Sequence, residues 1–275
     1  MSDLKYLLDE VRKNTRNISE RLTESHGWDH TLKVVRLAKL MAPKEDGDIF
    51  CVELAAWMHD WGRLAFPKND KGHASLSAEM VKQFLKNWIA QRVITPRQYG
   101  DVQRAIRQHS QINSSSRKSL SLLRDADRLS RYTPDGLYQV AVYSAEKGFP
   151  FFLPDTKVLR NGNEPLLRFS DVRCTIDEFN LVYDYWKIIE TPSAKLLQNE
   201  LKVFIDAFLN NFANEKNLQN NSEFWLTVLK KNAEQFKTIE NIFFEEKEKS
   251  INEIDFYEYI QFLNDVKNDF QMVSR

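Results

Sequence analysis

Net charge is the first thing this sequence lacks: 39 lysines and arginines stand against 39 aspartates and glutamates. With no global basic field, nucleic acid is not indicated as the principal partner. Cysteine is scarce, with only Cys51 and Cys174, which excludes a fold stapled by several disulfides. Cys51 lies inside an apolar run, so both thiols are read as reduced and buried, and the expected compartment is the cytoplasm. Glycine and proline number eight each, too few for a turn-rich β protein. No run approaches the roughly 18 apolar residues of a membrane span. The opening residues, Met1 to Glu10, are amphipathic and acidic, so neither a signal peptide nor a membrane partner is expected.

What is present is helical pattern. At 275 residues, 42% hydrophobic and 28% charged, the chain can bury a core and is not disordered by composition. Leu4, Leu7, Leu8, Val11, Ile18 and Leu22 recur at helical spacing. A second helix runs from His30 and stops at Pro43. Residues 49–59 are almost wholly apolar and read as a buried central helix, with Gly62 placed to terminate it. Further helices are expected over 72–88, from Thr95-Pro96 to His109, over 120–132 and 136–146, then over 176–190, 193–213, 222–248 and 251–271. Ser114 to Ser116 reads as a polar loop. The stretch 147–175 holds Pro150, Pro154 and Pro165 and reads as a long irregular, lid-like excursion. Asparagines cluster over 210–221, which marks a linker. The expected organisation is an all-α protein with a main domain over 1–213 and a helical extension over 214–275. That extension reads as a hairpin packing on the body, with homo-oligomer formation as its alternative role.

All five histidines, His26, His30, His59, His73 and His109, fall before residue 110. His59 and Asp60 adjoin at the end of the apolar helix, where an imidazole beside a carboxylate costs several kcal/mol unless a cation or hydrogen bonds compensate (about 2–7 for an unpaired polar group). A divalent ion satisfies both, and Mn, Fe, Co, Ni, Mg or Zn suit that donor set. Asp125 and Asp127 supply carboxylates inside another apolar helix. His-x3-His, His-Asp, two further histidines and Asp-x-Asp-Arg together point to metal binding.

This set resembles the HD superfamily, whose pattern is a His, then His-Asp, then a distant Asp, from helices converging on a metal. It is most similar to bacterial HD hydrolases with a Ser-His-x-x-x-His opening. Here the segments read Ser25-His26-Gly27-Trp28-Asp29-His30, Gly72-His73-Ala74, Arg107-Gln108-His109-Ser110 and Asp125-Ala126-Asp127-Arg128-Leu129. The resemblance implies an HD-domain helical bundle with a C-terminal helical extension. It implies His30, His59, Asp60 and Asp127 as metal ligands, with Asp125 as the fallback for Asp127. His73 and His109 match positions that hold a second ion in binuclear members, and His26 could orient a phosphate. The implied activity is metal-dependent phosphohydrolysis of a nucleotide or small phosphorylated metabolite by activated water, with one or two divalent ions. Several nucleotide-cleaving members carry an acid three or four residues after the His-Asp pair. Trp61-Gly62-Arg63-Leu64 stands there instead, shifting proton handling to His73 or His109. Arg63 and Lys33 are the cations best placed to meet a phosphate; Arg36 and Arg128 lie near them in sequence. Phe149, Phe151, Phe152 and Trp61 form either a base-stacking surface or core. Two other classes fit the same residues. One is a di-iron HD-type oxygenase using His30, His59, Asp60, His73, His109 and Asp127. The other is a nucleotide-sensing regulatory module.

Overall fold

The structure, a computed structural model, describes residues 3–65, 72–112, 117–160, 163–248 and 255–269. Among these residues it is all-α, with eleven α-helices and no strand. The chain divides into two compact units, residues 1–127 with 190–194, and residues 128–189 with 195–275. This division by packing does not coincide with the expected boundary at 213/214, because the helices on both sides of the asparagine-rich stretch lie in the second unit. The loop expected at Ser114 to Ser116 lies outside the described residues.

In the first unit, α3 (Ile49–Met58) is central and packs against α1 (Asp3–Ser19), α2 (Trp28–Met41) and α5 (Pro96–Gln108). It is apolar except for Glu53, and Cys51, Val52, Leu54, Ala55, Ala56 and Met58 are all buried, as a helix packed on several sides requires. Asp48 caps its start, accepting from the Cys51 amide at 3.1 Å. α4 (His73–Ala90) pairs with α5. The start of α5 is a reciprocal capping box: Gln98 N donates to Thr95 Oγ1 at 3.2 Å, and Thr95 N donates to Gln98 Oε1 at 3.1 Å. Such a box with Pro96 in the first turn fixes a helix start from local sequence alone. α6 (Lys118–Ser130) brings the Asp-x-Asp segment. Trp61, buried, meets Phe84 edge-on at 5.4 Å and donates its indole N–H to Thr15 at 2.9 Å. It is core, not a stacking platform.

The second unit contains α7 (Pro134–Glu146), α8 (Thr175–Tyr183), most of α9 (Pro192–Asn214), α10 (Ser222–Glu248) and α11 (Phe256–Asp269). Phe179, Phe204, Phe208, Phe212, Trp225 and Phe236 interlock in its core, with Phe212 and Trp225 rings 5.0 Å apart. Phe151 and Phe152 join that cluster through Phe212, so these phenylalanines are core residues too. α10 and α11 pair through Phe243 against Phe262 at 4.7 Å and through a buried Glu240–Tyr259 hydrogen bond of 2.6 Å. α8 is shorter than the expected helix over 176–190. It ends at Tyr183, where buried Asp184 turns to Lys187 at 2.6 Å and Arg160 at 3.3 Å. The excursion after α7 is irregular apart from a turn of 3-10 helix at Phe169–Asp171. It is tied to α8, for instance from Asn180 to the Lys157 carbonyl at 2.7 Å and from the Thr175 amide to the Pro150 carbonyl at 3.0 Å. Cys51 and Cys174 are buried free thiols, and burial pushes both up from the ordinary thiol pKa. No helix among the described residues is long and apolar enough to cross a membrane.

Candidate metal centre

The histidines and acids singled out in the sequence converge inside the first unit, mostly from helix ends. His26 closes a 3-10 turn, Glu24–His26, and His30 lies in the first turn of α2. The helix does not reach back to His26, yet the two rings are 5.7 Å apart. His59 and Asp60 directly follow α3, His73 opens α4, His109 follows α5, and Asp127 lies in the last turn of α6. His30 and His59 are 0% exposed and Asp60 is 4% exposed.

Two groups of potential ligands result, His30–His59–Asp127 and Asp60–His73–His109. Asp60 lies between them. Its Oδ2 faces His30 Nε2 at 3.8 Å and His59 Nε2 at 3.5 Å, while Oδ1 faces His73 Nε2 at 3.4 Å and His109 Nε2 at 3.8 Å. His30 Nε2 is 3.4 Å from Asp127 Oδ1, and the Nε2 atoms of His73 and His109 are 3.1 Å apart. Two donors on one ion, each about 2.1 Å from it and 90–110° apart, lie about 3.0–3.4 Å from one another. The shorter separations match the edge of such a coordination polyhedron.

Hydrogen bonds on the far side of two rings set the tautomers. His59 Nδ1 is 2.8 Å from the Ala56 carbonyl, and His109 Nδ1 is 2.7 Å from the Ile106 carbonyl. A carbonyl only accepts, so Nδ1 carries the hydrogen and the neutral ring presents a bare Nε2 inward. Both carbonyls belong to last helical turns that would otherwise leave them unpaired. His59 Nε2 and Asp60 Oδ1 are buried and meet no hydrogen-bond partner. Buried polar atoms normally find one, and a divalent cation satisfies both kinds of donor at once. The residues therefore fit a metal ion.

Burial alone would raise the Asp60 carboxyl pKa. The Arg63 guanidinium, with His59, His73 and His26 around it, outweighs burial and holds that pKa well below the usual carboxylate range. Burial, joined by His73 and His59, pushes His109 down to about 3 against the opposing pull of Asp60 and Asp127. At neutral pH the centre thus holds an ionised Asp60 and a neutral His109, the forms that bind metals.

Arg63 stands where the resemblance would place an acid, and its Nε is 2.9 Å from Asp60 Oδ2. Lys33, one turn after His30, is 4% exposed. Arg128 donates instead to the Ile188 carbonyl at 2.6 Å. Asp125 is fully occupied elsewhere: it accepts from the Glu190 amide at 3.0 Å and from the Thr191 amide and hydroxyl at 2.8 Å each.

Two contributions escaped the sequence reading. Gly62 does not end α3; its amide donates to Ser77 Oγ at 2.8 Å, and a Cβ there would lie 2.2 Å from the His73 carbonyl oxygen. Glycine thus lets the His59-Asp60 turn approach the first turn of α4. The second is Arg124 of α6, buried against the end of α5. Ser121, with Arg124 and Asp125 three and four residues after it on one face of α6, was the available signal.

Residues 27–132 match the model of the HD domain family. The chain is 24% identical over 182 residues to the Bacillus subtilis protein YpgQ, covering 64% of this chain and 84% of YpgQ. The same fold recurs in YpgQ solved in complex with ADP, at TM-score 0.57 and 21% identity, covering 78% of this chain and 97% of that one. A Lactobacillus plantarum protein shares it at TM-score 0.58 and 19% identity, covering 76% and 96%. An HD-superfamily hydrolase from Bacillus thuringiensis shares it at 0.54 and 17%, covering 78% and 98%.

Proposed function

We propose that this protein is a metal-dependent phosphohydrolase acting on a nucleotide or another small phosphorylated metabolite. The observation that carries the reading is the double triad joined through Asp60, with its buried and unsatisfied His59 Nε2 and Asp60 Oδ1. His30, His59 and Asp127 would hold one ion; His73 and His109 would hold a second, with Asp60 offering one oxygen to each. A bound divalent ion supplies Lewis acidity, lowering the pKa of water from about 15.7 toward 7 and polarising a phosphoryl oxygen. Arg63 places positive charge beside Asp60, and Lys33, buried one turn after His30, is the second cation assigned to the phosphate, where phosphoryl transfer develops negative charge. Arg63 also keeps Asp60 ionised. His26, hydrogen-bonded through Nδ1 to Ser25 at 2.9 Å, and Ser25 in turn to Thr23 at 2.9 Å, orients a ring beside His30 that can hold a proton or contact a phosphate. The ADP bound to YpgQ supports a nucleotide as the first substrate class to test.

Purified protein is expected to retain or take up divalent metal and to release phosphate or nucleoside monophosphate from a phosphate-ester panel with Mn, Mg, Co or Ni. Protein that holds no metal and cleaves nothing in the panel refutes the proposal. The six-residue double triad also supports the di-iron oxygenase reading. Iron near two per chain with a visible absorption band, and no phosphatase activity, would select it.

A further inference from the structure

Arg124 lies on α6, three residues before Asp127, and is 2% exposed. Its Nε and Nη2 donate to the Gln108 carbonyl at 3.2 and 3.1 Å, and its Nη1 meets Glu190 Oε1 at 3.1 Å. Gln108 is the last residue of α5 and immediately precedes His109. Its carbonyl lies in the last turn, beyond the reach of an intrahelical donor. It accepts from the Gln111 amide at 3.0 Å, and the guanidinium adds a two-pronged charged donor from another helix, among the strongest hydrogen bonds to a carbonyl. The other prong is anchored as firmly. Ser121 donates to Glu190 Oε2 at 2.8 Å, while the Glu190 amide is held by Asp125 at 3.0 Å. The guanidinium is therefore fixed at both ends, and the end of α5 is fixed with it.

We propose that Arg124 is a positioning residue for the metal centre, setting His109 on α5 relative to Asp127 on α6. The geometry favours this over general packing. The Gln108 carbonyl is contacted by two nitrogens of one rigid plane, which fixes direction as well as distance. On its outer side His109 is tied through Nδ1 to the Ile106 carbonyl within the same helix, and that bond moves with the helix end. Arg124 supplies the tie to a different helix. The proposal rests on the metal reading above only for its consequence in ion binding; the placement of His109 is testable without metal.

The test uses the full chain and the variants R124M, R124K and E190Q. Cobalt titration, followed by d–d absorption, is expected to show R124M binding the ion at the His109 group about ten- to a hundredfold more weakly. The His30 group should be affected less, and R124K, which can still reach one acceptor, should recover part of the loss. In metal-free protein with labelled histidines, R124M is expected to move the His109 imidazole resonances and leave those of His26 in place. A merely structural role would lower the melting temperature and leave affinity and resonances as in wild type, which overturns the proposal. If wild-type protein takes up no cobalt, the metal reading fails, and the imidazole resonances alone decide the role of Arg124. If R124M does not fold, E190Q decides: it keeps the guanidinium but weakens its anchor, and an unmoved His109 resonance there refutes the positioning role.

Discussion

Replacing Gly62 by alanine tests how the His59-Asp60 turn and α4 are brought together. A Cβ on residue 62 would lie 2.2 Å from the His73 carbonyl oxygen and 2.6 Å from the Ser77 amide nitrogen, both backbone atoms, where ordinary contact begins at 3.4 Å. The shortfall at His73 is 3.4 minus 2.2, or 1.2 Å. Neither atom can rotate away, so the first turn of α4 must retreat by about 1 Å, several times the roughly 0.2 Å tolerance of a metal–ligand distance. His73 retreats with it from Asp60 and His109. The expected result is a ten- to hundredfold weaker ion at that group, by analogy with lost outer support (about 10–100-fold). Turnover should fall by about a hundredfold, and overpacking should cost about 1–3 kcal/mol. Calorimetric titration with Mn, steady-state assay on the best substrate of the panel, and thermal melting read these separately. A G62A protein that binds metal with wild-type stoichiometry and affinity would refute the claim that this close approach places His73.

Asp60→Asn should abolish uptake at both groups and, in metal-free protein, lower stability by about 3 kcal/mol because buried Arg63 loses a charged partner; metal analysis and urea unfolding check it. Asp127→Asn should remove the ion of the His30 group, whereas Asp125→Asn should keep metal stoichiometry and lose stability, since Asp125 accepts from Glu190 and Thr191. In metal-free protein the pKa of His109 is about 3, against about 6.5 unfolded, so the unfolded chain binds more protons between these values. Stability from this group is therefore complete above pH ~6.5 and declines as pH falls toward 3. Urea midpoints that stay flat from pH 7.5 to 4 would contradict the His109 assignment (a window of about 3 units); the depressed pKa of Asp60 acts in the same sense only below about pH 4. Chelation should lower the melting temperature, and free Mn at a hundred times its dissociation constant should restore about 2.7 kcal/mol.

The helices were largely legible because local rules fix them. The almost wholly apolar stretch Ile49–Met58 reads as a central helix, and Thr95-Pro96 with Gln98 announced its own helix start. His59 and Asp60 were visible as ligand candidates because a buried run ended on two polar residues. The division of Asp60's oxygens between two groups was not, since it depends on where α2, α4 and α5 end in space. Arg124 reaches partners 16 and 66 residues away, and no periodicity encodes such separations. Gly62 was misread for a related reason. A glycine after a helix fits a terminator, and only the packing of α4 against that turn shows that the missing Cβ is what matters.

The bonds from His59 and His109 back to carbonyls three residues earlier make each ring part of its own helix terminus. Fraying of either last turn would release the ring, and turning the ring would release the carbonyl. With the proposed ion bound through these rings, its capture and the end-turn order of α3 and α5 would be one equilibrium. Amide hydrogen exchange at those two termini should slow when an ion is held, through a local opening free energy that now includes its release. The ends of α3 and α5 would then report on metal occupancy.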